Sequence, residues 1–214
     1  MTSRTIYLIR HGTTEWIERG FVHGSLDSPL SKFGEWEAQQ TAAALVDKQI
    51  THIYTSPQGR AAQTASAIAK KFPSVPITPL EGLREMGFGK MEGKRDVFKK
   101  LKRNPLALIF IGPVWLTLLG FTGENKATLR ARVAKAWQQI LSDHSTGNIA
   151  VVSHAITLNT ILSTLPSAEG VEKKKRYNLG TCSISRVVLD ENSHALITVI
   201  NDTSHLDKGT AHDH

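Results

Sequence analysis

Thr5-Ile6-Tyr7-Leu8-Ile9-Arg10-His11-Gly12 is an apolar, β-branched and aromatic run that ends abruptly in a cation, an imidazole and a glycine. Too short for a helix and without polar alternation, Thr5 to Ile9 is predicted to be a strand buried on both faces, ending at Arg10. The design recurs. His52 to Thr55 is followed by Ser56-Pro57-Gln58-Gly59-Arg60, and the apolar strand Asn148 to Val152 leads into Ser153-His154. Between these runs lie helical stretches. One extends from Ser31 as N-cap to about Val46, with Trp36, Ala43 and Leu45 expected to be buried. A second starts at Ser56 as N-cap with Pro57 in the first turn and continues to Lys70. A third covers Glu124 to Leu141, where Leu129, Val133, Trp137 and Leu141 recur every four residues, and a fourth follows His154 to about Leu165.

A weaker strand is expected at Val75 to Thr78, and Cys182 to Leu189 with Ala195 to Ile200 reads as a hairpin. Strands alternating with helices predict an α/β fold. It is a three-layer sandwich with a mainly parallel central sheet, helices on both faces, an antiparallel edge and a cap insertion. With 214 residues, the chain fits one domain, taken as residues 1–206 with the cap at about 81–122 and a flexible tail at 207–214.

Composition narrows the function classes. Hydrophobic residues make up 40% and charged residues 21%, which excludes a disordered or fibrous chain. The single cysteine, Cys182, excludes an internal disulfide and a cysteine-rich metal site, and reads as a small buried hydrophobe in a reducing compartment. A net charge of +7 favours anionic partners. No signal segment is evident, so the expected location is the cytoplasm.

In an open parallel sheet, ligands bind beyond the carboxyl ends of the strands. This rule gathers Arg10, His11, Arg60 and His154 on one rim, beside helix N-termini that favour an anion. Two arginines can grip phosphate oxygens in bidentate fashion, and their charge should keep one imidazole neutral and nucleophilic. A phosphoryl leaving group also needs a proton, and the turn-rich Leu83-Arg84-Glu85-Met86-Gly87-Phe88-Gly89 is the best source of a carboxylic acid. Arg84 itself reads as a salt-bridging or positioning residue. The donor set is poorly suited to a metal, so neither metal nor cofactor is expected.

In order and spacing, LIRHGTT, YTSPQGRAAQTA, LREMGFGKMEG, VVSHA and the closing INDTSHL resemble the phosphoglycerate-mutase-like branch of the histidine phosphatase superfamily. The resemblance implies a phosphohistidine on His11, with Arg10, Arg60 and His154 holding the phosphoryl oxygens. It implies Glu85 as the proton donor and later the base that activates water. It also implies a mixed, mainly parallel sheet with a cap inserted after the third strand. The chain departs from the family pattern at Ile17, Phe21 and His23-Gly24, where a polar contact, a substrate-carboxylate cation and a Gln-Gly pair are usual. Hydrolysis of small phosphate monoesters is therefore expected, similar to α-ribazole phosphatases and broad-specificity phosphatases. Mutase-type transfer and a non-catalytic phosphate-binding or membrane-associated role are the alternatives. Phe21, His23 and Thr14 are the candidate substrate contacts.

The apolar stretch Pro105 to Phe121 follows Lys99, Lys100, Lys102 and Arg103, and a second basic run spans Lys173 to Arg176. It reads as a cap packed on the domain, or as a hydrophobic wall suited to a substrate with an apolar portion. Contact with an anionic membrane surface is the lesser alternative. No helix-turn-helix, aromatic platform or zinc pattern supports a nucleic-acid partner. The expected partner is a phosphorylated small molecule, and the expected state a monomer or homodimer. His205, His212 and His214 could suggest a metal site, but a frayed end is the simpler reading for the last two.

Overall fold

Strand residues alternate between two cores. In a computed structural model describing residues 4–95, 123–143, 147–190 and 194–209, β1 (Arg4–Arg10) turns Ile6 and Leu8 to one face and Tyr7 and Ile9 to the other. β4 (Asn148–Ser153) divides in the same way, Ile149 and Val151 against Ala150 and Val152. This is the period-two geometry of a strand with both faces covered. The first face is packed by α4 (Lys126–Asp143) and α5 (Ala155–Leu162), through Leu129, Val133, Trp137, Leu158 and Leu162. The second is packed by α2 (Lys32–Leu45) and α3 (Gly59–Ala69), through Ala42, Leu45, Ala61, Ala65 and Ile68.

With β2 (Ile50–Thr55), β3 (Ile77–Pro79), β5 (Ile184–Leu189) and β6 (Ala195–Asp202), the six-stranded sheet has the order β3-β2-β4-β1-β5-β6. The first four strands are mutually parallel, and β5 and β6 run antiparallel as the closing hairpin. The three-layer α/β form expected of the sequence is thus the observed one. Among the described residues, no helix is long and apolar enough to cross a membrane.

Register sets up the site. Arg10 pairs with Ser153 and Thr55 with Val152. The His11 N–H donates to Ser153 O at 2.9 Å and the Ser56 N–H to Val152 O at 2.9 Å. His11, Ser56 and His154 therefore leave three adjacent parallel strands side by side.

Several expectations need correction. Helix α3 starts at Gly59, with Gln58 in the N-cap position, so Ser56 is not its cap. Ala43 is exposed, and the buried face of α2 instead carries Gly34, Glu37, Ala38, Thr41, Ala42 and Leu45. Apolar periodicity misread this face because two of its members are polar and serve neighbouring loops. Cys182 precedes β5 in left-handed geometry (φ 52°), although it is fully buried, and burial pushes its thiol up to about 12. A short helix α1 (Glu15–Arg19), capped by Thr14, has no counterpart in the pattern reading. A short helical turn spans Ser204–Gly209, and residues 210–214 lie outside the described residues. The apolar stretch, the basic run at residues 99–103, His212 and His214 lie outside the described residues.

Candidate active site

The turn after β1 is built on two close approaches. The Gly12 N–H donates to the Thr64 hydroxyl at 3.1 Å, and a Cβ on Gly12 would stand 2.7 Å from the Gly34 carbonyl oxygen. A Cβ on Gly34 would overlap the Thr13 carbonyl. Both positions need glycine for the turn to settle on the start of α2. The turn fixes His11, which is 5% exposed, with its Nδ1 2.8 Å from the Gly12 carbonyl oxygen. A carbonyl only accepts, so Nδ1 carries the proton and Nε2 keeps a lone pair. Beside it, one Nη of Arg10 donates to Leu179 O at 2.6 Å, and Arg10 Nε is buried without a partner among the described residues.

Arg60, 1% exposed, enters from the first turn of α3. Asp27 does the capping that Ser56 was expected to do. Its carboxylate accepts from the Gly59 and Arg60 N–H groups and pairs with Arg60 Nη1 at 2.9 Å. Leu26 O and Gly24 O accept from the same guanidinium at 2.8 and 3.1 Å, leaving Nε buried and unpartnered among the described residues. Ser56, released from capping, places Oγ 2.8 Å from His154 Nε2. His154 is fully buried, its ring centroid lies 5.1 Å from that of His11, and its Nδ1 is a third buried atom without a partner among the described residues.

Glu85 reaches the same rim from the loop after β3. Because His154, the N-cap residue of α5, makes no side-chain cap, the Glu85 carboxylate takes that place. It accepts from the Ile156 and Thr157 N–H groups, both at 3.2 Å, and from Met86 N–H at 2.9 Å. The carboxyl oxygens thereby supply acceptors to N–H groups that the first turn of a helix leaves without intrahelical partners.

Rings lead outward from this cluster. His23 lies 6.4 Å from His11, Trp16 5.3 Å from His23, and Phe21 5.7 Å from Trp16, centroid to centroid. Thr14 Oγ1 is 2.9 Å from His23 Nε2. The structure thus brings Arg10, His11, Arg60, His154 and Glu85 together, adds His23 and Thr14 at the margin, and sets Phe21 behind Trp16.

Electrostatics follow from burial and the two arginines. Burial holds His11 well below its ordinary 6.5, and Arg10 and Arg60 push the same way. Burial does the same to His154, reinforced by His11, Arg60 and Arg10. His23 falls to about 4, chiefly from burial and then from Arg60. All three imidazoles are therefore neutral at pH 7. Both buried guanidiniums are also pushed down by desolvation, opposed at Arg10 by Glu85 and Glu37 and at Arg60 first by Asp27.

Pattern reading missed Asp27, Gln58 and Glu37; it took Ser56 only as a helix cap and weighed Glu92 only as the carboxylate nearest Glu85 in the same irregular segment. Glu37, 3% exposed, accepts from Thr13 N–H and the Thr181 hydroxyl, both at 2.6 Å, and ties the two turns flanking Arg10. Burial would raise Glu92, but hydrogen bonds from Ser25, Phe88 and Gly89 outweigh it and hold the carboxyl below its ordinary value. Apolar periodicity gives no signal for Glu37, because it and Thr41 are the polar members of the buried face of α2. Among the described residues, no group of three His, Cys, Asp or Glu side chains could hold a metal ion.

A mixed α/β sheet with two neutral imidazoles and two guanidiniums beyond its parallel strand ends defines a class of anion-binding proteins. The chain belongs to the histidine phosphatase superfamily (branch 1), whose sequence profile matches residues 6–203. It is 32% identical over 207 residues to a probable phosphoglycerate mutase GpmB of Salmonella paratyphi A, covering 94% of each chain. The phosphoglycerate mutase of Bacillus anthracis superposes with a TM-score of 0.78 at 23% identity, covering 97% of each chain. Phosphoserine phosphatase of Entamoeba histolytica, solved with 3-phosphoglyceric acid, gives 0.68 at 26% identity, covering 95% of this chain and 99% of that one.

Proposed function

We propose that this protein is a phosphatase that hydrolyses small phosphate monoesters through a phosphohistidine on His11. The observation that carries the reading is the trio of buried nitrogens without a partner among the described residues, Arg10 Nε, Arg60 Nε and His154 Nδ1, around an imidazole whose Nε2 is unprotonated. Buried donors left without partners are costly, and a phosphoryl group supplies the acceptors they lack. Because Ser56 Oγ accepts from the Gln58 N–H at 3.3 Å, its own proton is assigned to His154 Nε2, and on that assignment Nδ1 of the ring carries the proton and donates as well.

In the first step, His11 Nε2 forms a bond to phosphorus as the P–O ester bond breaks. The bonding pair stays on the leaving oxygen, which takes a proton from the Glu85 carboxyl. In the second, Glu85 accepts a proton from water as the water oxygen attacks phosphorus, and the N–P bond breaks back onto Nε2. Arg10, Arg60 and His154 stabilise the charge on the equatorial oxygens in both steps. No metal enters the scheme.

The segment that leads outward from His11 through His23 and Trp16 supports hydrolysis over transfer. Ile17 and Phe21 are apolar, Phe21 packs on Trp16, and His23 is neutral. None of these offers a cation to a substrate carboxylate, and the rings suit an ester with an apolar portion. The relatives named as probable mutases favour phosphoryl transfer, so the test separates the two. With chelator present, the wild type is expected to release inorganic phosphate from p-nitrophenyl phosphate and glycerol 2-phosphate without added bisphosphate. His11→Ala should fall to background with an unchanged circular dichroism spectrum. Near-wild-type turnover by His11→Ala, or bisphosphate-dependent isomerisation of phosphoglycerate without phosphate release, would overturn the reading.

A further inference from the structure

Arg132 lies in α4, apart from the strand-end cluster, and its guanidinium is fully committed. Nε and Nη2 donate to the Glu124 carboxylate at 2.6 and 2.7 Å. Nη1 donates to Gly82 O at 2.9 Å and Arg84 O at 2.7 Å, and Nη2 also donates to Glu85 O at 3.1 Å. One planar fork thus grips three carbonyls of the loop that carries Glu85, which a lysine ammonium cannot do in that geometry. The α4 backbone presses on the same loop, since a Cβ on Gly82 would stand 2.7 Å from Arg132 O and 2.6 Å from Ala136 Cβ. Opposite, Gln58 Oε1 accepts from Glu85 N–H at 2.7 Å, and the hydroxyls of Ser153 and Thr157 donate to Leu83 O at 2.7 Å and Arg84 O at 2.6 Å. Every link between Leu83 and Glu85 is held from one side or the other.

A carboxylate can be placed only as well as its main chain. Displacing a catalytic group by about 1 Å costs on the order of a hundredfold in rate. We infer that Arg132, with its charge neutralised by Glu124, is a positioning residue that keeps Glu85 in line with the leaving oxygen. The inference rests on the reading of Glu85 as the proton donor. A brace that served stability alone would lower activity on all esters alike. A brace for the acid must affect the ester that needs the proton.

The experiment compares kcat/KM, which reports formation of the phosphoenzyme, for glycerol 2-phosphate and p-nitrophenyl phosphate. The alkoxide requires protonation on leaving, whereas the nitrophenolate leaves without it. Glu85→Gln is the reference and should lose at least about a hundredfold on the alkyl ester and far less on the aryl one. Arg132→Met is expected to lose about tenfold or more on the alkyl ester and under about threefold on the aryl ester. The double variant with Glu85→Gln should lose no more on the alkyl ester than Glu85→Gln alone, because Arg132 acts only through that carboxylate. If Arg132→Met does not fold, Arg132→Lys, which keeps the stem and the charge but not the fork, takes its place with the same expectations. Equal losses on both esters, or additive losses in the double variant, overturn the inference. If Glu85→Gln itself shows no leaving-group dependence, the acid assignment fails and the inference falls with it; full activity of His11→Ala marks the failure of the underlying reading.

Discussion

His11 and His154 owe their chemistry to where their protons sit. The Gly12 carbonyl accepts a hydrogen bond from the Nδ1–H of His11, and burial beside two guanidiniums keeps the other nitrogen bare. This has a consequence for pH. An NMR titration of the imidazole Cε1–H signals should find His11 and His154 uncharged well below pH 6.5 and His23 titrating at about 4. A midpoint near 6.5 for His11 would contradict the account. Stability should follow the same protons. As pH falls below 6.5, the unfolded chain protonates these histidines while the native state does not, so unfolding is favoured progressively down to the native values. The histidine contribution is thus fully present above 6.5 and lost on acidification towards 4, and His23→Gln should flatten part of that loss in urea titrations at successive pH values. At this scale, Arg10, His11 and His154 were legible because each directly follows an apolar strand. Their proton positions were not, since these depend on the Gly12 carbonyl and on Ser56 Oγ, which leaves the strand next to that of His154 and stands 98 positions from it in sequence.

Helix α3 shows how one element is finished by another. Its first turn is capped by Asp27, 33 positions before Arg60 in the chain, and the same carboxylate is the counter-charge to the buried guanidinium. The Ser-Pro pair satisfied the local rule for a helix start, but Ser56 has a partner in His154 and the helix begins later. Local capping rules cannot see a cap supplied from another loop. Asp27→Ala removes a cap and strands a buried charge, and the partial exposure of the carboxylate trims the cost. The expected loss is about 2–3 kcal/mol of unfolding free energy in urea. Asp27→Asn, which keeps an acceptor for the helix, should lose roughly half as much. A loss under about 1 kcal/mol for Asp27→Ala would show that the carbonyls of Gly24 and Leu26 hold Arg60 by themselves. The Arg132 brace escaped pattern reading for a related reason: it acts on carbonyl oxygens 47 to 50 positions away, which side-chain patterns do not encode.

Across the whole molecule, alternation of short apolar runs with amphipathic helices was enough to predict a mainly parallel sheet between helical layers. The register that places Ser56, His11 and His154 on adjacent strand ends follows from that topology. What topology leaves open is the lining: α2 turns Glu37 inward and the loop after β3 turns Glu85 towards the start of α5, both through contacts between distant segments. The surplus of positive charge, +7 overall, adds a field that favours anionic substrates without selecting one. The central claim is a covalent bond between one imidazole and phosphorus, and the Glu85→Gln variant offers the most direct view of it. With an aryl ester it should still form the phosphoenzyme but hydrolyse it slowly. Quenched in alkali during turnover and analysed by peptide mass spectrometry, it should carry an acid-labile phosphoryl group on His11. An unmodified His11, or a phosphoryl group on another side chain, would contradict the account.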